Sequence, residues 1–437
     1  MKREAKPRGF VAIMSRYTIV KGFKDILPGE VEVWQRIENV AWDIFEDFGF
    51  SQIRIPVLEK TELFTRSIGT STDIVEKEMY TFTDRKGESL TLRPEATASI
   101  VRAYIEHKLY ARDPVFKCYT MGPMFRRERP QRGRYRQFYQ INAEVIGLNS
   151  PKSDSELILI LMTIMKHLSV PGIFLHINSL GCKECRARFK GRLREFLDQV
   201  SGSLCPDCFR RREQNPLRIF DCKVPTCQET ISEAPSILDF LCSGCHAHFE
   251  EVQENLKGFK IPFEVNNRLV RGLDYYTRTT FEAITTELGA QNALAGGGRY
   301  NGLVQALGGP DQPGVGFAIG LDRLAALLIP QAKENKKKPR LFIAALGAQA
   351  QREGFSWLET LRIDRKIRCE MDFEDHGLKT QMKRADRLGA SYVLIVGDRE
   401  LEERVAVCRN MMTGEQKPVS LKGNIDDIIE NICLAIA

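Results

Sequence analysis

The chain has 437 residues, of which 43% are hydrophobic and 28% are charged, with a formal net charge of +7. This length exceeds one ordinary core and predicts two or three domains, and the composition is typical of a soluble globular protein. The sequence has no run near the ~20 apolar residues of a membrane helix, and its N-terminal apolar patch, FVAIM, is shorter than the ~7 residues of a signal-peptide core. We therefore expect a cytoplasmic protein without a membrane partner.

The N-terminal end of the sequence is basic. Residues 1–16 are predicted to be a disordered extension. A second methionine, Met14, precedes SRYTIVKGF, so a start at either Met1 or Met14 fits the sequence.

Residues 31–50, VEVWQRIENVAWDIFEDFGF, predict an amphipathic helix because apolar residues such as Val33, Ile37 and Ile44 recur on one face. Gly49 is the predicted end of the helix, and SQIRIPVLE (51–59) then has the alternation of a strand. A helix that leads into such a strand suits a subunit interface. Ordinary core packing fits the same pattern.

The following region mixes strands and helices. Two strands, VFKCYTMGPMFRRE and FYQINAEVIG, are predicted to be joined by an arginine-rich loop. SDSELILILMTIMKHL is predicted to be a helix with Ser153 or Asp154 as its N-cap. Strand-like sequence returns at RLVRGLDYYTRTTFEAIT (268–285), and a glycine-rich stretch then leads to the helix GLDRLAALLI.

Eight of the twelve cysteines lie in residues 181–250, a segment that interrupts this pattern and is predicted to be an inserted domain. Paired CxxC spacing in a cytosolic protein favours zinc ligation over disulfides, and eight cysteines suffice for two sites. Reduced cysteines that pack as small apolar residues are the alternative. The candidate ligands are Cys182, Cys185, Cys205, Cys208, Cys222, Cys227, Cys242 and Cys245.

A linker is predicted at residues 330–339, PQAKENKKKP, because this stretch is lysine-rich and bounded by prolines. Beyond it, three short apolar strands alternate with two helical segments. This βαβαβ order predicts a small α/β domain at residues 340–437.

The chemistry-bearing residues are mainly arginines. LAGGGRYNGLVQALGG lacks the Gly-Lys-Ser/Thr of a phosphate-binding loop and the Rossmann fingerprint, so we interpret it as a floor beneath a small ligand or as a plain turn. The six histidines form no pattern of a nucleophile–base pair. Arginines recur instead in short polar motifs, at Arg93, Arg126, Arg271 and Arg323. Arginines with carboxylates and no nucleophile suit phosphoryl or nucleotidyl chemistry run by positioning and charge stabilisation.

Five motifs together resemble one family. FRRERPQRGRYRQF is similar to the second signature motif of class II aminoacyl-tRNA synthetases, GVGFAIGLDRL to the third, and GFKDILPGEVEVWQRIENVAWDIFEDFGFSQIRIPVLE to the first, the dimer-forming motif. LVRGLDYYTRTTFE and GGGRYNGL resemble the two histidine signatures of the histidyl-tRNA synthetase family. The resemblance runs from about Tyr17 to the C-terminus.

The resemblance implies a site for ATP in complex with Mg²⁺. Arg126 would hold the α-phosphate, Glu128 would lie near the adenine amino group, and Arg134 would belong to the same site. Phe138 and Arg323 would sandwich the adenine ring.

The resemblance also implies a histidine pocket. Arg271 would approach the α-phosphate where the histidine carboxylate attacks it, which makes Arg271 and Arg126 the expected catalytic residues. Glu144 and Tyr276 would bind the two imidazole nitrogens, and Tyr300 would close the pocket. The remaining expected pocket residues are Glu95, Thr97, Gln140 and Tyr275, the first three around the substrate ammonium.

The implied architecture is an α+β catalytic domain at residues 17–180 and 251–329, with an antiparallel sheet flanked by helices, and a C-terminal α/β anticodon-binding domain. The implied partners are L-histidine, ATP, tRNA(His), whose acceptor end would face Gln131, and a second copy of the chain. Asn301 stands in the GRYN motif where the family pattern leads us to expect aspartate.

The sequence also fits two alternative classes of protein. The regulatory subunit of ATP phosphoribosyltransferase resembles this catalytic domain, but it is expected to lack the anticodon-binding domain and parts of the motif set. A zinc-ribbon nucleic-acid-binding protein would account for the CxxC pairs and leave the histidine signatures unexplained.

Overall fold

The computed structural model describes residues 17–69, 72–131, 133–331 and 338–436. The extension predicted for residues 1–16, with Met14, lies outside these ranges, as do residues 332–337 of the predicted linker. The chain divides into two compact units, Met1–Ala332 and Lys333–Ala437. None of the helices in the described ranges has the length and apolar content needed to cross a bilayer.

The first unit combines helices and strands. Its described helices are α1 (Val31–Asp47), α2 (Thr61–Ile68), α3 (Thr97–Glu106), α4 (Pro151–His167), α5 (Lys183–Gln199), α6 (Pro206–Gln214), α7 (Pro225–Ser232), α8 (Ser243–Gly258), α9 (Leu303–Ala306) and α10 (Leu321–Leu328). Its described strands are β1 (Ser51–Gln52), β2 (Leu58–Lys60), β3 (Tyr80–Thr83), β4 (Ser89–Leu92), β5 (Phe116–Phe125), β6 (Gln137–Ile146), β7 (Ile173–Ser179), β8 (Glu264–Val265), β9 (Thr277–Thr285), β10 (Ala293–Arg299) and β11 (Gly314–Gly320).

An eight-stranded sheet in the order β1-β5-β6-β11-β10-β9-β7-β8 forms the framework of this unit. The strands from β5 to β7 in that order pair antiparallel, as predicted, and the short edge strands β1 and β8 pair parallel. A separate three-stranded sheet has the order β2-β4-β3. The predicted class, an antiparallel sheet flanked by helices, is confirmed for this unit.

The helical periodicity of α1 is also confirmed. Val33, Ile37, Ala41 and Ile44 are buried and belong to one core with α4 and the central strands. The helix ends at Asp47, and Gly49 follows with a positive φ of 75°. This conformation costs glycine little because it has no Cβ.

Two predicted details of the N-terminal half were wrong. SQIRIPVLE forms two short strands, β1 and β2, in different sheets, and Pro56 between them has no amide hydrogen for a ladder. Helix α4 begins at Pro151, and its N-cap is Ser150, whose Oγ accepts a hydrogen bond from the Lys152 amide at 3.2 Å. Proline at the first helical position fits this start, because an amide hydrogen at that position would have no acceptor within the helix.

The stretch 268–285 is a strand only from Thr277 onward. Its first part, Leu269–Tyr276, is an irregular segment whose backbone does not pair with a strand of the sheet. For example, the Asp274 amide donates a hydrogen bond to the Ile68 carbonyl at 3.2 Å. The glycine-rich stretch, in turn, begins as strand β10. A Cβ added at Gly297 would lie 2.2 Å from the Gly316 carbonyl oxygen of β11, so glycine allows the two strands to approach.

The second unit is an α/β domain. Its described elements are β12 (Leu341–Leu346), α11 (Ala348–Ile363), β13 (Cys369–Met371), α12 (Leu378–Leu388), β14 (Tyr392–Gly397), α13 (Asp398–Glu403), β15 (Val405–Asn410), β16 (Gln416–Ser420) and α14 (Ile425–Ala435). The strand order is β13-β12-β14-β15-β16, with β12 parallel to both neighbours and β15 and β16 antiparallel. The predicted βαβαβ order is confirmed, and the hairpin of β15 and β16 extends it.

Candidate active site

One cleft in the first unit is lined by residues from β6, β10 and β11 and from the segment Leu269–Tyr276. All residues assigned in the sequence to ATP or histidine line this cleft. They are Glu95, Thr97, Arg126, Glu128, Arg134, Phe138, Gln140, Glu144, Arg271, Tyr275, Tyr276, Tyr300 and Arg323.

A buried carboxylate network lies at one end of the cleft. Glu144 on β6 accepts hydrogen bonds from the Thr97 hydroxyl at 2.7 Å and from the Tyr300 hydroxyl at 2.7 Å, one at each carboxylate oxygen. Burial raises the pKa of Glu144 to about 8. A Cβ added at Gly316 on β11 would lie 1.6 Å from the Glu144 carboxylate, so only glycine leaves room for this group.

A second buried carboxylate, Glu95, caps helix α3. It accepts the amide hydrogens of Thr97 at 2.7 Å and Ala98 at 2.8 Å, two of the first-turn donors that lack helical partners. The Tyr275 hydroxyl lies 3.5 Å from the same carboxylate. Burial raises the pKa of Glu95 and, more strongly, that of Tyr275. The tyrosine therefore stays a neutral hydrogen-bonding group.

Arg271 reaches the cleft from the irregular segment before β9. Its Nη1 lies 2.5 Å from Oε1 of Glu282 on β9. Burial lowers the pKa of Arg271, but the attraction of Glu282, Tyr276 and Asp221 together outweighs it, so the net pKa is raised. A Cβ at Gly296 would lie 2.3 Å from the guanidinium, so the absence of a side chain on β10 makes room for it.

Several buried polar atoms at the cleft have no hydrogen-bond partner within the described ranges. They are Nε of Arg271, Oε1 of Gln140 and Oδ1 of Asn142. Buried polar groups are normally paired, because an unpaired one costs about 1–3 kcal/mol. The cleft thus offers one donor and two acceptors for a polar ligand.

The other end of the cleft is arginine-rich. Arg126 donates from Nε to the Pro94 carbonyl at 2.9 Å, and its guanidinium lies 5.2 Å from the centre of the Phe138 ring. Burial lowers its pKa. Glu128 forms an ion pair with Arg134, and Arg323 donates from Nη1 to the Ala293 carbonyl at 2.8 Å. With Arg271, four arginines from three segments therefore line one cavity, an arrangement suited to polyanionic phosphates.

The sequence interpretation did not assign four other cleft residues: Glu282, Asp322, Tyr139 and Asn142. Asp322 accepts the Tyr139 amide hydrogen at 2.6 Å, and burial raises its pKa to about 6. Glu282 and Asp322 both lie inside motifs that carry the family resemblance, RTTFE and GLDRL. Their place in these motifs is the sequence signal that could have identified them as cleft residues.

Gln131 and Arg93, both named in the sequence analysis, lie elsewhere. Gln131 lines a neighbouring cleft, which shares Glu128 and Arg134 with the main one. Arg93 is buried and donates to the carbonyls of Pro123 at 2.9 Å and Ile55 at 2.7 Å, which identifies it as a structural residue.

Arg299, after the glycines, is also structural. It is fully buried, with Nη2 2.7 Å from Oδ1 of Asp154 on α4, and Asp154 also contacts His248 on α8. Asn301 lies beside this pair, with its Nδ2 3.2 Å from Oδ1 of Asn149, and does not line the cleft. The departure at Asn301 therefore does not change the cleft wall.

The eight cysteines of the inserted segment lie apart from the cleft, as two groups of four. Cys182, Cys185, Cys242 and Cys245 form one group, called here the outer cluster. Cys205, Cys208, Cys222 and Cys227 form the other, the inner cluster.

Comparison with known proteins agrees with this geometry. The family model described as "Histidyl-tRNA synthetase" matches residues 22–185 and 225–324, and the model described as "Anticodon binding domain" matches residues 341–431. The histidine–tRNA ligase of Desulfatibacillum aliphaticivorans is 56% identical over 410 residues, which cover 94% of this chain and 98% of the relative. That of Desulfosudis oleivorans is 58% identical over 404 residues, covering 92% and 95%.

Among solved structures, the apo histidyl-tRNA synthetase of S. aureus is 36% identical, with a TM-score of 0.78 over 95% of this chain and 99% of that one. Because the first family model matches more than half of the chain and these relatives are matched over almost their full lengths, the chain belongs to the histidyl-tRNA synthetase family of aminoacyl-tRNA synthetases.

Proposed function

We propose that this chain activates L-histidine with the ATP–magnesium complex, releases diphosphate, and transfers histidine from the adenylate to tRNA(His). One observation carries the proposal: a single cleft joins four arginines to a buried carboxylate–phenol network. The arginine end suits a triphosphate, and the carboxylate end suits a small ligand with nitrogen donors. Magnesium would arrive with the phosphates, whose oxygens it prefers as ligands.

Activation needs no nucleophile from the protein, because the substrate carboxylate attacks the α-phosphate itself. The enzyme must hold two anions together and stabilise the charge that develops at phosphorus. Arg126 and Arg271 are proposed for this role. Both are fixed by neighbours, Arg126 through the Pro94 carbonyl and Arg271 through Glu282, so little reorganisation is needed when the charge appears.

Selectivity for histidine is assigned to Glu144 and Tyr276, which would engage the two imidazole nitrogens. Burial raises the pKa of Tyr276 to about 12, so its hydroxyl remains a neutral donor or acceptor. An analogue without one ring nitrogen would leave a buried polar group unpaired, a mismatch that specific sites reject strongly. Glu95, Thr97 and Gln140 are proposed to bind the ammonium, with Tyr275 and Tyr300 closing the pocket.

The adenine site is assigned to Glu128, Phe138 and Arg323, with Arg134 beside it. One face of the Phe138 ring is contacted by Arg126, so the adenine is proposed to stack on the other face. The ion pair between Glu128 and Arg134 would loosen to admit the nucleotide.

The tRNA is proposed to contact both units. The unit at residues 340–437 would bind the anticodon, in agreement with the family match at residues 341–431. Gln131 would face the acceptor end from the cleft beside the ATP site. We also assign residues 181–250 to an inserted domain and residues 330–339 to the linker, and we place the reaction in the cytoplasm.

A homodimer is proposed on the basis of exposed apolar side chains near the first motif. Trp42 on α1 is 46% exposed, Leu58 on β2 39% and Phe82 on β3 48%. Sedimentation analysis of the full chain tests this assignment. A monomer at micromolar concentration would contradict it.

The regulatory-subunit alternative is disfavoured because the arginines of the cleft are all present and the second unit matches an anticodon-binding family. The zinc-ribbon alternative leaves the cleft unexplained. The deciding experiment is ATP–pyrophosphate exchange with each of the twenty amino acids, followed by charging of tRNA. Exchange stimulated by histidine alone is expected, and exchange with another amino acid or with none would reject the proposal.

A further inference from the structure

The two cysteine clusters have a nested arrangement along the chain. The first and last CxxC pairs of the inserted segment meet in the outer cluster, and the middle CxxC pair meets Cys222 and Cys227 in the inner cluster. Within each cluster all four sulfur atoms lie within 4.8 Å of one another. Sequence spacing leaves this pairing open, and only the folded chain assigns the two sets.

The sulfur geometry fits a single tetrahedral ion. Sγ of Cys182 lies 3.5 Å from Sγ of Cys185, and Sγ of Cys205 lies 3.9 Å from Sγ of Cys222. A zinc ion with Zn–S bonds of about 2.3 Å sets its sulfurs about 3.8 Å apart. Disulfides need about 2.05 Å, and all eight cysteines are free thiols. An iron–sulfur cluster would need wider spacing, since its four cysteines are divided among two or more irons.

Helix ends orient these thiols. Cys182, Cys205 and Cys242 are the N-caps of α5, α6 and α8, and the second cysteine of each CxxC pair lies one turn further on. Backbone amides also point at sulfur, from Cys242 to Sγ of Cys185 at 3.1 Å and from Cys205 to Sγ of Cys227 at 3.0 Å. Amide donors and helix N-termini both stabilise thiolates.

The packing of the segment supports a metal over plain core cysteines. Within α6, all of which is described, Cys208 is the one buried residue, so this helix has no apolar face to dock it. A helix attached in this way needs another anchor, and small domains often use a metal or a disulfide for this purpose. By contrast, Cys118, Cys369 and Cys408 are buried singly in separate strands, as expected of core cysteines, and join neither cluster.

We propose that the inserted segment binds two structural zinc ions, one in each cluster, and that they position the segment Leu269–Tyr276. Two contacts connect the clusters to this segment. Arg186, one residue after Cys185, donates to the Tyr276 carbonyl at 2.9 Å, and Asn215, just after α6, donates to Oδ1 of Asp274 at 2.9 Å.

Leu269–Tyr276 carries Arg271 and two tyrosines of the cleft, and it belongs to no strand of the sheet. Its position therefore depends on individual side-chain contacts, among them the pair with Glu282 on β9 and the anchors in the inserted segment. Loss of a zinc ion is expected to weaken histidine binding more than ATP binding. This last consequence depends on the proposed function, whereas the metal sites themselves do not.

Metal analysis of the full chain is the first test, after purification under reducing conditions without chelators. Two zinc ions per chain are expected, and protein loaded with cobalt should show the strong visible absorption of tetrahedral thiolate coordination at two ions per chain. One ion per chain would overturn the two-site assignment. Well under one zinc per chain, or an octahedral cobalt spectrum, would overturn the metal sites altogether. These measurements need no variant and no activity.

Paired substitutions test the ligand sets and the positioning role. Cys242→Ser/Cys245→Ser and Cys205→Ser/Cys208→Ser should each retain one zinc, and the control Cys408→Ser should retain two. For variants with an unchanged circular dichroism spectrum, the KM for histidine should rise several-fold while the KM for ATP stays within twofold, roughly the error of such assays. Retention of both ions would refute the ligand sets. Unchanged KM values after loss of an ion would refute the positioning role, and exchange absent even from the wild type would instead refute the proposed function.

Discussion

Replacing Arg271 with alanine tests the centre of the proposed mechanism. The substitution removes a guanidinium whose Nε has no partner within the described ranges and whose Nη1 lies 2.5 Å from Glu282. The backbone position remains available to alanine, because Arg271 lies in irregular structure and is absent from the residues with positive φ.

The expected loss can be estimated from the geometry. Removing one preorganised donor to developing charge costs about 2.7–4 kcal/mol in catalysis, or about 100- to 1000-fold in rate. The effect on folding should be smaller. Glu282 is 24% exposed and can be partly rehydrated, so the loss of its partner should cost about 1–3 kcal/mol of stability.

Histidine-dependent ATP–pyrophosphate exchange provides the assay, with urea unfolding as the measure of stability. We expect kcat/KM to fall about 100- to 1000-fold, with a loss of stability no larger than about 3 kcal/mol. The matched control is Arg192→Ala, which removes a 58% exposed arginine on α5 and should leave exchange unchanged. Exchange by Arg271→Ala within about threefold of wild type would show that Arg271 does not stabilise the charge that develops at phosphorus.

Three further substitutions probe the histidine end. Tyr276→Phe should raise the KM for histidine about 5- to 150-fold, since it leaves a buried group unpaired, with little change for ATP; equal changes for both substrates would contradict the assignment. Because the pKa of Glu144 is raised to about 8, the folded chain holds a proton between pH 4.5 and 8 that the unfolded chain has lost. Its contribution to the free energy of unfolding therefore falls as pH rises through that window, by at most about 1.4 kcal/mol per unit, and Glu144→Gln should flatten this slope in urea unfolding. Gly316→Ala puts a Cβ 1.6 Å from the Glu144 carboxylate and should weaken histidine activation at least tenfold by displacing that carboxylate. The control Gly191→Ala on α5, with open space around its Cβ, should leave activity unchanged. An unaffected Gly316→Ala enzyme would show that Glu144 can move without loss of activity.

Sequence patterns within one segment predicted secondary structure most reliably. The apolar spacing of α1 and the βαβαβ order of the second unit follow from neighbours a few residues apart, and both are confirmed. The start of α4 was wrong because Ser150, Ser153 and Asp154 all qualify locally as caps. Tertiary contacts decide between them: Asp154 is used to neutralise the buried Arg299, 145 residues away.

The strand predicted across residues 268–285 failed for a similar reason. Apolar residues and two tyrosines resemble a buried strand, but the first part of this stretch is buried against the inserted segment and the cleft. A buried segment has the same apolar and aromatic composition whether its backbone is a strand or irregular. Only the hydrogen-bond partners, which lie outside the sheet, distinguish the two cases.

By itself the sequence determined the family, many of the residues that line the cleft and the class of each unit, because these are written in short motifs and local periodicity. The tertiary structure alone decided which cysteines share a cluster, that Glu282 pairs with Arg271, and that Arg93 and Arg299 are internal. Such pairings join segments that are distant along the chain. They depend on the path of the whole backbone, which no local pattern encodes.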